Sequence, residues 1–490
     1  MRLLNGEKNI LPTISEKLGA YAATLKYKDL PAKVIHQAKR TIIDTLGCAF
    51  GGYASEPSRI AQGLAATVRG DQKATILFSG RTTSVDLAAF TNDIMVRYLD
   101  YNDGYISGKG SGHPSDSIAA LLAATEMARA GGRDLILATV ICYEIFCRLS
   151  DAWDNKPIGI DHVTTGGVAS VAGVARLLGL TQQQINHAIS LTVAMNIALN
   201  QTRRGTVSYW KGCAYGNANR NAIFAAQLAA RGMTGPSQVY EGREGFFNVV
   251  SRRSFELAPF GGGGRPFRIM RTHFKYFPLG NYSQTVVTAA LEARAAVGNI
   301  DDIAEVHVRT AQRALQVMAG DPEKWRPRTR ETADHSMPYN TALALMYGVI
   351  DQSYFDEKYF LHDKKLLDLV RRVKCSVSEE ANRRVSEFNL CELDVVLRSG
   401  ERKSFRVEYH RGHWRNPMSD AEVEKKFRSL ASGMMPDAKV DALLEELWKL
   451  EDLPEVGRLM RMTRVKSARK PVARKKTGRG TRKAPTRWRR

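Results

Sequence analysis

The sequence predicts a mainly α fold, a large helical domain into which a smaller α+β domain is inserted before the last helices. Three observations predict it. From residue 12 to residue 230, apolar residues recur at helical spacing in one run after another, separated by short polar loops. Around residue 270 the texture changes to short alternating segments, 304–309, 373–377 and 393–397, which read as strands interleaved with helices. Beyond residue 412 helical spacing returns. The boundaries follow: 1–274 and 413–460 for the helical domain, 275–412 for the α+β domain, and 461–490 for a separate tail.

Taken in order, Thr13 caps a helix running through residue 21. Pro31 opens another that carries Val34, Ile35, Ala38, Ile42 and Ile43 at 3–4 spacing. Residues 46–53 are mostly small, which suits close helix packing. A helix over 84–99 leads into the stretch 97–117, RYLDYNDGYISGKGSGHPSDS, which sets Asp100, Asn102, Asp103, Lys109 and His113 among four glycines. Ser115 reads as the N-cap of a helix over 115–130, so His113 falls just ahead of a helix N-terminus, where backbone N–H groups favour anions. Gly131 and Gly132 read as its stop. Helices over 134–153, 166–178, 181–200 and 211–230 follow, the third opened by a Thr181/Gln184 capping box. The loops between them bring in His162, Arg203, Arg204 and Lys211. Four glycines at 261–264 lack a following GK[ST] and read as a connection rather than a phosphate loop. In the α+β domain, helices over 336–350 and 363–372 accompany the strands, and Pro338 is tolerable because it falls in a first turn. Ser399 and Gly400 turn one strand back as a hairpin into 404–409. Helices over 419–431 and 437–450 complete the set.

Composition excludes several classes. The chain has 490 residues, 43% of them hydrophobic, as expected of a soluble globular protein with a sizeable core. No apolar run approaches the roughly 20 residues a membrane helix needs. The N-terminal stretch lacks a signal-peptide apolar region, so the expected compartment is cytoplasmic. Six cysteines are scattered without a C-x-x-C, which argues against a disulfide framework and against a zinc site or iron–sulfur cluster built on thiolates. The net charge of +22 is uneven: residues 464–490 hold 13 Lys/Arg and no acid. Such a tail cannot bury enough surface to fold alone. It raises a second class of function, nucleic-acid association through the tail, although nothing else in the chain reads as a nucleic-acid module.

Several segments together resemble the MmgE/PrpD family, which includes 2-methylcitrate dehydratases, cis-aconitate decarboxylases and an iminodisuccinate epimerase. They are LDYND with GHPSD (99–116), the loop holding His162, WKG with a downstream Asn (210–217), HFKYFP (273–278), TRETADHSMPY (329–339) and RGHWRNPMSDAEVEKKFRSLA (411–431). The resemblance covers about residues 10–460. It implies an all-helical domain made of the N-terminal part and a C-terminal return, an α+β lid domain, a homodimer, and neither metal nor organic cofactor. It also implies a cleft lined by Asp100, His113, His162, Lys211, Lys275 and Tyr339, with Asn102, Arg203, Arg204 and His335 as substrate-binding candidates. Two departures favour dehydration over decarboxylation. The family's decarboxylases usually carry threonine four residues after the aspartate, where Gly104 stands, and the 105–112 loop is longer and richer in glycine.

Dehydrating a citrate-like substrate removes a proton beside a carboxylate and expels hydroxide. The charge that spreads onto the carboxylate needs cations close by, a task suited to Lys211 and Lys275. Arg203 or Arg204 would hold remote carboxylates bidentately. Asp100 and His113 are the candidate bases, and His162 or Tyr339 would protonate the departing oxygen. The expectation is therefore a cofactor-free lyase acting on a di- or tricarboxylate. Decarboxylation of cis-aconitate and epimerisation of a dicarboxylate are the alternatives within the family.

Overall fold

The computed structural model describes residues 11–465, except 69 and 386–388; most of the basic tail lies outside the described residues. The chain is mainly helical, and two hydrophobic cores organise it. One draws on residues 14–274 and again on 418–465, the other on 277–407.

The first core is built from helices whose small apolar faces permit close approach. Ala32–Gly52, Val85–Arg97, Ile118–Met127, Gly132–Ala152, Val163–Leu177 and Ala214–Ala230 pack around one another, with Ile14–Thr24 and Gln182–Met195 along one side. Thr13, Thr181 and Ser419 cap their helices through full capping boxes, each hydroxyl accepting from the third helical N–H. The return helix Asp420–Ala431 packs on Ala32–Gly52. Its Lys426 forms a buried ion pair with Asp44 at 2.7 Å and donates to the carbonyls of Tyr101 at 2.7 Å and Lys275 at 3.1 Å. One side chain of the C-terminal segment thus ties together the two loops that carry Asp100 and Lys275.

The second core lies under a four-stranded sheet, in the order Val373–Val377, Ile303–Thr310, Cys391–Leu397, Arg402–Val407. The first pair is parallel and the others antiparallel. Helices Gln284–Val297 and Met337–Tyr347 pack on each other beside it.

Two local readings are corrected. Ser115 is not a helix N-cap. It sits inside a 3-10 turn, Pro114–Ser117, and the α-helix begins at Ile118. Its hydroxyl accepts from Asn102 at 2.8 Å and its N–H donates to Asp103 at 3.2 Å, so tertiary partners outcompete the local cap. Gly131 and Gly132 do not stop that helix but start the next one. Any Cβ on Gly132 would lie 1.6 Å from the Leu450 carbonyl oxygen, so the glycine is what lets the C-terminal segment approach. The 261–264 glycines form a turn pinned by Glu144, which accepts from the N–H groups of Gly261 and Arg268, both at 2.7 Å. Two hairpins were not foreseen: Ala74–Ile76 with Arg81–Thr83, and Tyr105–Ile106 with Ser111–Gly112 inside the glycine-rich loop.

Candidate active site

Asp100 stands at the centre of a buried charge cluster. It follows the end of helix Val85–Arg97 with φ of +49°, a left-handed conformation that aspartate tolerates better than most residues. Lys275 clamps it twice, donating to the backbone carbonyl at 2.7 Å and to Oδ1 at 2.9 Å, while Arg97 also donates to Oδ1. Oδ2 has no hydrogen-bond partner and faces His335 Nδ1 at 3.4 Å and Lys211 Nζ at 3.9 Å. Lys211 and His335 Nδ1 both bind Asp334, at 2.7 and 2.6 Å. Burial works to raise the Asp100 carboxyl. Lys275, Arg97, Lys211 and His335 overcome it and hold the group well below the usual carboxylate range. Burial brings Lys275 down to about 8 against the pull of Asp100. A carboxylate so fully neutralised is a poor base, and the cluster's first effect is electrostatic.

The histidines offer unpartnered ring nitrogens. His113 Nδ1 lies 2.6 Å from the Asp103 carbonyl oxygen. A carbonyl only accepts, so Nδ1 holds the proton and Nε2 is left with its lone pair, 3.9 Å from Asp100 Oδ1. Burial, then Arg97 and Lys275, hold this imidazole far below its ordinary pKa, so it is neutral at pH 7. His162 repeats the pattern. Its Nδ1 lies 3.1 Å from Asp161, which is itself gripped by Arg203 at 2.6 and 3.3 Å, and its buried Nε2 has no partner. Burial lowers His162 to about 3 and His335 to about 4. The His113 and His162 rings meet edge to face, 5.5 Å between centroids. Gly112 makes that approach possible, since a Cβ there would lie 2.6 Å from the His162 ring.

A cleft opens at these rings. His113, His162, His335, Arg203 and Arg204 line it, together with Asn155, Lys156, Asn281 and Tyr282. Asp100, Lys211 and Lys275 are not on its walls. They are almost wholly buried and reach the cleft through His113 and His335. Asn102 is a strut, with Oδ1 accepting from Arg97 and Nδ2 donating to Ser115 and Asp116. Arg204 donates to the Gln316 carbonyl at 2.7 Å. Tyr339 is not brought to this cluster. Its hydroxyl donates to the Tyr354 carbonyl at 2.7 Å and its ring packs in the second core near Phe355. Lys156 and Tyr282 are two cleft residues that the sequence pattern does not single out, since neither stands in a motif of recognisable spacing. The segment containing Tyr282, just after HFKYFP, was the available signal.

Among the described residues, one group has ligand atoms close enough for a metal ion: Asp100, Asp334 and His335. Lys211 pairs with Asp334 there, and Lys275 and Arg97 with Asp100, so a divalent cation would have to displace charge already in place.

Comparison with known proteins gives the chain's family. A family model for the MmgE/PrpD N-terminal domain matches residues 16–258, and one for the MmgE/PrpD C-terminal domain matches 277–450. The chain is similar to cis-aconitate decarboxylase of Homo sapiens, 26% identical over 478 residues that cover 91% of this chain and 93% of that one. It is similar to 2-methylcitrate dehydratase of Cupriavidus necator, 27% identical over 450 residues covering 83% and 88%. The 2-methylcitrate dehydratase of Salmonella typhimurium is 29% identical over 408 residues covering 75% and 79%. With both domain models matched in order along the chain, the protein belongs to the MmgE/PrpD family.

Proposed function

We propose that the chain is a hydro-lyase that dehydrates a citrate-like tricarboxylate, with 2-methylcitrate as the foremost substrate. The observation that carries this is His113: a neutral imidazole whose Nδ1–H is spent on a carbonyl, leaving a bare Nε2 at a cleft walled by cationic groups. In this reading Nε2 takes the proton from the carbon beside a carboxylate. The electron pair first spreads onto that carboxylate as a carbanion, then forms the new C=C bond as the C–O bond breaks, and the departing oxygen leaves as water once protonated. Positive charge from Lys211 and Lys275, one layer behind the wall, stabilises the carboxylate as it gains electron density. Arg203 and Arg204 meet the remaining carboxylates.

Gly104 supports dehydration over decarboxylation. A Cβ at this position would lie 2.4 Å from Asn281 Nδ2 and 2.6 Å from His273 Nε2, so the threonine typical of the family's decarboxylases would fit only if both of those side chains moved. The test is ultraviolet absorbance of the unsaturated product from 2-methylcitrate, with and without a chelator. Equal rates are expected. Activity lost on chelation and restored by iron would overturn the cofactor-free chemistry, and carbon dioxide release from cis-aconitate in place of dehydration would overturn the reaction.

A further inference from the structure

The dehydration above needs an acid for the departing oxygen, and with Tyr339 bonded inside the second core that role is open. The cleft wall supplies one other phenol. Tyr282 lies in the 3-10 turn Asn281–Ser283 and is almost wholly buried, and its carbonyl is fixed by Asn389 at 2.8 Å. Its hydroxyl accepts from Lys156 Nζ at 3.2 Å, and the same ammonium stands 5.0 Å from the ring centroid. The phenolic proton points to Ser111 Oγ at 3.5 Å, a long contact that a ligand oxygen can replace. Ser111 is two residues from His113 on the same cleft wall.

The geometry points to Tyr282 as the group that protonates the departing hydroxyl, with Lys156 as the positioning residue that holds the resulting phenolate. This rests on the dehydration reading and deepens it. His113 Nε2 gains the proton from carbon, the C–O bonding pair leaves with the oxygen, and that oxygen takes the phenolic proton and departs as water. Transfer of the imidazolium proton to the phenolate through solvent returns both groups to their starting states. The charge arrangement suits a phenol acting at near-neutral pH. Burial alone would raise it, but Lys156 and Arg313 outweigh burial and bring it below the ordinary tyrosine value. Arg313 is paired with Asp154 at 2.7 Å, and His113 and His162 line the same cleft. Lys156 is in turn lowered by burial.

Two variants in the full-length protein test this with 2-methylcitrate as the probe. Tyr282→Phe keeps the ring and its packing and removes only the acid. Its turnover should fall at least about a hundredfold, the low end of what a positioned acid contributes. It should still exchange substrate deuterium from D2O, because His113 is intact. Lys156→Met should move the basic limb of the kcat profile to higher pH, since a phenol without its cation holds its proton longer. Tyr282→Phe turnover within threefold of an active parent would overturn the role of Tyr282 alone. A parent inert on 2-methylcitrate and citrate would overturn the dehydration reading and this role with it.

Discussion

At the scale of single residues, the site divides into groups that react and groups that set the field. His113 belongs to the first set. Replacing it with alanine should cost at least about a hundredfold in turnover while leaving the fold intact, as judged by circular dichroism. Its neutrality can be measured directly. Because burial and the Arg97 and Lys275 charges depress the imidazolium, the ring should stay unprotonated as pH falls through the usual histidine range. An NMR titration of the free enzyme should therefore show no His113 midpoint near the reference value of about 6.5. A midpoint there would remove His113 as a field-tuned base. Lys211 and Asp100 belong to the second set and act on the same transition state through His335 and His113. The double variant Lys211→Met with His113→Ala should consequently be little worse than His113→Ala alone. Independent, multiplying losses would mean that the cluster is not one unit.

At the scale of elements, the contribution of Lys426 is the sharpest structural expectation. The helix Asp420–Ala431 holds the site loops through this one ammonium. Lys426→Met strands Asp44 without its ion-pair partner in the first core, and breaking such a buried pair costs about 3–5 kcal/mol. A denaturant midpoint would read it, and Asp44→Asn with Lys426→Met should recover part of the loss. This element also shows what the sequence makes legible. Its span was legible from helical spacing, and the Thr13 and Thr181 caps marked two other helices, because a cap is a short-range pattern. The strands 373–377 and 303–310 were visible by alternation. What escaped was set by distant contact. Ser115 looks like a cap until Asn102 and Asp103 claim it, and Gly132 looks like a stop until Leu450 lies against it. The site followed the same logic. The buried histidines, lysines and Asp100 stand in recurring motifs, whereas Lys156 and Tyr282 are joined only by folding, 126 residues apart in the chain.

At the scale of the whole molecule, two cores meet at the cleft: His113 and His162 come from the part of the chain that builds the first, Tyr282 and His335 from the part that builds the second. The described chain closes with the Val465 N–H bonded to the Phe78 carbonyl at 3.0 Å. A cut after Val465 should leave turnover and Tm unchanged and abolish most salt-sensitive retention on heparin; a large fall in turnover would tie the tail to the cleft. The central claim is that a neutral histidine in a cationic cleft removes a proton beside a carboxylate and water leaves. Mass spectrometry of the products from a panel of 2-methylcitrate, citrate, cis-aconitate and an amino-dicarboxylate, run with the parent and His113→Ala, tests it most directly. The account predicts that the parent converts 2-methylcitrate to a product lighter by one water and that His113→Ala does not. A parent that only releases carbon dioxide from cis-aconitate, or a His113→Ala protein that dehydrates at the parental rate, would contradict it.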